Sequence, residues 1–95
     1  MANFTVRVEL FGNPSAETYV KLHQIMKKHG FTRTVSGGGV TYELPSAEYN
    51  RSAESSIEDV RGSAVRAAES VWQDVAILVT KADGPRVWHG LRKSD

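Results

Sequence analysis

Three histidines and a set of arginines are the side chains of this chain best able to move a proton or hold an anion near neutral pH. His23 and His29 stand six residues apart, about 120° around a helix. They therefore do not share a face as two metal ligands at i and i+4 would. An ordinary surface or boundary role is the simpler expectation for both. His89 differs, because RVWHGLR sets it among Arg86, Trp88 and Arg92. Cations, a ring and a proton carrier in one short stretch suit a phosphate-bearing ligand. A neutral imidazole there has the chemistry to serve attack by a ribose 2'-hydroxyl. Packing, or a solvated strand edge, is the competing reading of the same residues.

The carboxylates point away from a metal. A divalent-ion nuclease needs two or more convergent acids, whereas Glu58, Asp59 and Glu69 read as helix-start and surface charges. Glu9, Glu43 and Glu48 are better placed for a site, but Glu43 is expected to pair with Arg7 across neighbouring strands, worth roughly 0.2–1 kcal/mol. No metal and no other cofactor is expected. The triglycine at 37–39 invites a phosphate-cradle reading, since backbone N–H groups can surround an anion where no side chain intervenes. Phosphate loops of the familiar kinds follow a strand and open a helix, often with a lysine. Here the glycines lie between two strand-like runs with no basic residue among them, and a hairpin turn is expected.

These residues need elements to position them. FTVRVEL alternates Phe4, Val6, Val8 and Leu10 with Thr5, Arg7 and Glu9, the period of a half-buried strand. Asn13 and Pro14 then open a helix as cap and first turn. Tyr19, Leu22, Ile25 and Met26 form its stripe, and Gly30 ends it. Phe31–Val35 and Val40–Leu44 read as a hairpin, with Val40, Tyr42 and Leu44 on the core side. Residues 45–55 read as a long loop, and long loops in small domains often carry function. Ser55 and Glu58 form a capping box for a second helix with the stripe Ile57, Val60, Ala64, Ala67, Ala68 and Val71. DVAILVTK is a strongly apolar strand, ADGPR a turn, and Arg86–Leu91 a short final strand. The expected fold is α+β, a ferredoxin-like split β-α-β sandwich: an antiparallel sheet, two helices on one face and an added C-terminal strand.

Ninety-five residues make one domain, 1–95, able to bury roughly 60–70% of its unfolded surface without staples. Without cysteine, thiolate catalysis and a disulfide framework are excluded. The start MANFTVRVEL lacks an apolar signal core and no apolar run approaches ~18 residues, so a cytoplasmic location is expected, with no membrane partner. The net charge of +1 divides into a mildly basic start and end around a more acidic middle. That footprint is weak for nucleic acid, and DNA is not expected. On the expected open face, Thr5, Arg7, Glu9, Thr41 and Glu43 offer no aromatic platform of the kind RNA-recognition modules stack bases on. Ala76, Leu78 and Trp88 are expected to form an apolar patch there that buries against a second copy, making a homodimer.

GFTRTV, TYELPSAEYN and ILVTKADGPRVWHGL together resemble the GhoS-like endoribonuclease antitoxin family, a bacterial family formerly of unknown function, over most of the chain. The resemblance implies a ferredoxin-like fold and, for the characterised member, cleavage of the messenger RNA of a small membrane-disrupting toxin, as in a type V toxin–antitoxin system. First-strand aspartates, usual in fold-related CRISPR nucleases, have no counterpart at Leu10–Asn13. On this reading the chain binds or cleaves messenger RNA without a metal. Arg33 balances phosphate charge and His89 carries the proton, while Tyr49, Asn50, Arg86, Trp88 and Arg92 contact the RNA. The alternative is a non-catalytic homodimeric interaction domain using the open sheet and the 45–55 segment.

Overall fold

The computed structural model describes residues 2–82 and 86–94. Its elements are β1 (Ala2–Leu10), α1 (Ala16–Lys28), β2 (Thr34–Gly37), β3 (Val40–Glu43), β4 (Glu48–Ala53), α2 (Ile57–Glu69) and β5 (Val75–Ala82). β1 is central, antiparallel to β4 on one side and β5 on the other. The β2–β3 hairpin joins this sheet through a bridge between Thr32 and Asn50. The architecture is the expected α+β one, a ferredoxin-like sandwich with an antiparallel sheet.

Alternation in β1 divides the molecule. Phe4, Val6, Val8 and Leu10 are buried with Leu22 and Met26 of α1, Val60, Ala64, Ala67 and Ala68 of α2, and Phe31 and Tyr49. Each large side chain fully buried there stabilises the fold by about 1.5–3 kcal/mol. The alanines of α2 let that helix lie close to the sheet. Asn3, Thr5, Arg7 and Glu9 point to the opposite, helix-free side. No helix among the described residues is long and apolar enough to cross a membrane.

The helices begin later than expected. Ser15, not Asn13, caps α1 and its Oγ accepts from the Thr18 N–H at 3.2 Å. Asn13 instead takes a left-handed φ of 55° in the preceding turn. Ser56, not Ser55, caps α2 by accepting from the Asp59 N–H at 3.1 Å. Gly30, with φ of 89°, follows α1 as expected. It also leaves room for Arg51, whose Nη1 would lie 2.6 Å from a Cβ at that position. The Arg51 guanidinium donates to the His29 carbonyl at the helix end and stands 5.0 Å from the Phe31 ring centre.

Two larger corrections concern which segments form strands. Residues 48–53 are not loop but β4, the immediate neighbour of β1, in the place expected for Val40–Leu44. EYNRSA hides this because only Tyr49 supplies a strongly apolar inward position. Arg7 consequently lies opposite Glu48 rather than Glu43, at 3.7 Å. The second correction concerns Arg86–Leu91, which form no strand beside β5. This segment instead crosses the helix-free face, and pairing begins only beyond it. There the Glu43 N–H donates to the Arg92 carbonyl at 2.7 Å and the Ser94 N–H to the Thr41 carbonyl at 2.8 Å. Asp83, Gly84 and Pro85 of the expected turn lie outside the described residues.

Candidate nucleic-acid interface

The crossing segment roofs the open face and makes a cleft with the strands beneath. Its floor is the row of side chains that β1 and β4 turn away from the helices. Register places Asn3 opposite Ser52, Thr5 opposite Asn50 and Arg7 opposite Glu48. The Ser52 hydroxyl donates to Asn3 Oδ1 at 2.5 Å. Arg7 is too exposed for its pairing with the half-buried Glu48 to be worth more than about 0–1 kcal/mol. The floor is therefore polar, hydrogen-bonding and nearly balanced in charge.

Arg86 ties the roof to this floor. One guanidinium nitrogen donates to Asn50 Oδ1 at 2.6 Å. Nη2 is buried with no hydrogen-bond partner among the described residues. A buried cationic N–H left unmatched is costly, and an anionic oxygen is the group that would satisfy it.

Trp88 is held by the hairpin. Gly38 and Gly39 have φ of 60° and 77°, the left-handed pair that a two-residue hairpin turn demands. Gly37 serves a different end, because a Cβ there would lie 2.8 Å from Trp88 Cη2. Tyr42, expected on the core side, is not part of the main core and stands instead against Trp88 with ring centres 5.4 Å apart. Trp88 keeps 36% of its surface exposed. Packed against the hairpin, it is separated by β1 and β4 from Leu78 on β5, so the expected patch of Ala76, Leu78 and Trp88 does not form.

Two cavities open along the cleft. One, of about 510 Å³, has Asn3, Ser36, Asn50, Ser52, Arg86 and Trp88 in its wall. The other, of about 470 Å³, is lined by Thr5, Leu44, Glu48, Arg86, Trp88 and His89 among others. Asn50, Arg86, Trp88 and His89 are thus brought together. Arg92 is exposed just beyond them, with its carbonyl engaged by β3.

Two expected site residues lie elsewhere. Tyr49 is fully buried, so its ring presents no face to a ligand. Its hydroxyl is 2.6 Å from His23 Nδ1, and burial pushes the phenol up to about 12, against an opposing effect of the Arg33 charge. Burial, and then the same guanidinium, hold His23 below its ordinary value. Arg33, at a bend before β2, therefore belongs to the helix side with His23 and Tyr49. His89 lies across the sheet, with Thr5 and Glu48. The sheet divides the pair that was expected to act together, because the bend at Arg33 falls on the covered side of β4.

Thr5 and Arg7 were legible as open-face residues from the alternation of β1. Ser52 was missed because β4 itself was hidden, although Asn50 and Ser52 at i and i+2 carry the strand period. Among the described residues, no three of His, Asp and Glu gather as a metal site would need. Comparison with family models, with curated proteins and with solved structures finds no match to this chain.

Proposed function

We propose that this chain binds single-stranded RNA in the cleft between the open sheet face and the Arg86–Ser94 segment, and cleaves it without a metal. The observation that carries the reading is Arg86 in the wall of the cleft, its buried Nη2 unpartnered among the described residues as Arg33 Nε and Arg51 Nε are elsewhere, beside the part-exposed ring of Trp88. A phosphate oxygen would complete the guanidinium and a base would lie on the indole. Asn50, Thr5 and Ser52 offer donors and acceptors to base edges or to the 2'-hydroxyl that marks RNA.

In the cleavage step the ribose 2'-oxygen attacks its own phosphorus while the bond from phosphorus to the next 5'-oxygen breaks. His89 takes the 2'-hydroxyl proton, the leaving 5'-oxygen takes a proton from water, the resulting hydroxide recovers the proton held by His89, and a 2',3'-cyclic phosphate remains. Arg86, rather than Arg33, balances the charge that gathers on the phosphoryl oxygens. The family resemblance of the sequence adds the target class, messenger RNA of a small membrane-disrupting toxin.

Binding without cleavage is a second reading, favoured by one observation: no hydrogen bond among the described residues orients His89. Both readings are tested with a labelled single-stranded RNA in EDTA, following anisotropy and product together. Cleavage predicts a cyclic-phosphate product that His89→Ala abolishes while binding persists, and Arg86→Ala should weaken binding about tenfold or more. Intact RNA that is bound and released by Arg86→Ala supports the second reading. Failure of the wild-type chain to bind at low salt overturns both.

A further inference from the structure

We propose that the outer edge of β5 pairs with β5 of a second copy of this chain, antiparallel about a two-fold axis at Leu78. The two edges of the sheet are finished differently. At β3 the Arg92–Ser94 stretch engages the backbone through the Glu43 and Ser94 amides. β5 runs in unbroken register with β1, from Ala82 opposite Asn3 to Val75 opposite Leu10. No strand pairs its outer side among the described residues.

Proteins commonly protect such an edge with a proline, a bulge, a short strand or an inward charge. VAILVTKA has no proline and no break in register, and its sole charge, Lys81, is next to last. Leu78 is 63% exposed on the open face. Val75, Ile77 and Val79 pack against the core yet stay only half-buried. One additional strand would cover both sets.

The strand is its own complement. Antiparallel pairing about Leu78 sets that leucine against its mate, Ala76 opposite Thr80, and Ile77 opposite Val79. Asp74 precedes the strand and Lys81 nearly ends it. Antiparallel self-pairing brings the acidic end of each copy beside the basic end of the other, whereas parallel pairing sets like against like. The axis stands perpendicular to the sheet, so β4-β1-β5 becomes a six-strand sheet whose two clefts open on the same side. This inference stands independently of RNA binding.

The test exploits the absence of cysteine from the sequence. Leu78→Cys places a single thiol on the axis, where directly opposed Cα atoms at about 4.5–5.5 Å permit a disulfide. Mild oxidation should cross-link Leu78→Cys as a dimer and leave Val20→Cys, an exposed site on α1, mostly monomeric. Sedimentation equilibrium of the wild type should give a concentration-dependent dimer, and Leu78→Lys should weaken it about tenfold or more by opposing like charges. A wild-type mass that stays monomeric across the accessible range overturns the proposal. Equal cross-linking of the two cysteine variants, or an undiminished dimer in folded Leu78→Lys, does the same. RNA binding retained by a monomeric Leu78→Lys would separate the two surfaces.

Discussion

β4 has the same kinds of side chain on either side of it, put to different uses. Toward the helices stand Tyr49, His23 and Arg33. Across the sheet, beside Asn50, stand Trp88, His89 and Arg86. In the first group the aromatic is fully buried and its hydroxyl meets the histidine at 2.6 Å. In the second the aromatic is 36% exposed and no hydrogen bond among the described residues fixes the histidine. An aromatic, an imidazole and a guanidinium are not a site by composition. The tyrosine and histidine that partner each other hold the fold together, and the aromatic and histidine left short of partners are available to a ligand. The guanidinium groups do not divide this way, since Arg33 Nε and Arg86 Nη2 are both buried without a partner among the described residues.

The most forceful way to break this contrast is to truncate both aromatics. Tyr49→Ala should cost about 3–5 kcal/mol in chemical denaturation, the range for large aromatics removed from a core. Trp88→Ala should cost under about half of that, being part-exposed, and should remove RNA binding instead. Equal losses of stability would erase the distinction between the two sides.

A finer test moves Trp88 without deleting it. Gly37→Ala puts a methyl group where the end of the indole lies, and the φ of Gly37 is not in the left-handed region. The ring should give way before the backbone does, at a cost of about 1 kcal/mol. Its fluorescence should shift while the far-ultraviolet circular dichroism stays unchanged.

Acid tests the covered side. His23 is depressed in the folded state, so the unfolded chain binds its proton more readily. Its contribution to stability is complete above about 6.5 and is lost as pH falls from there through the folded value. His23→Gln should flatten that part of the stability profile. On the alkaline side, Tyr49 resists ionisation up to about 12. The stability it lends is therefore lost as pH rises above about 10.

The smallest effect belongs to the floor of the cleft. Arg7→Ala removes the pairing of an exposed guanidinium with Glu48 and should change stability by no more than about 1 kcal/mol. If Arg7 helps to hold RNA, the salt dependence of binding should become shallower by about one ion.

The sequence made much of the covered side legible and less of the open one. Phe4, Val6, Val8 and Leu10 announce β1 through strict alternation, and VAILVTK announces β5 through apolar content. The stripes of α1 and α2 were readable from their helical period, except that Ile57 at the start of α2 is exposed and Val71 lies outside the core. β4 was not, because its inward positions are Tyr49, Arg51 and Ala53, of which one is strongly apolar. RVWHGL has the content of a strand, but its course was decided by contacts far away in sequence: Asn50 for Arg86, and Gly37 and Tyr42 for Trp88. Asn50, Arg86, Trp88 and His89 were therefore identifiable one by one. That Tyr49 and Arg33 belong to the other side followed only from β4 being a strand and the chain bending at Arg33.

Arg51 also bears on how β4 finds its place. A strand with so little apolar pattern is weakly guarded against sliding, and a slip of one residue would turn every side chain to the wrong face. Tyr49 reaches His23 and Arg51 reaches the His29 carbonyl. Two residues apart on the strand, they engage α1 nearly two turns apart, at its middle and its end. No shifted alignment can satisfy both at once. The pair works like two pins through a hinge plate, supplying by position the addressing information that hydrophobic patterning leaves out.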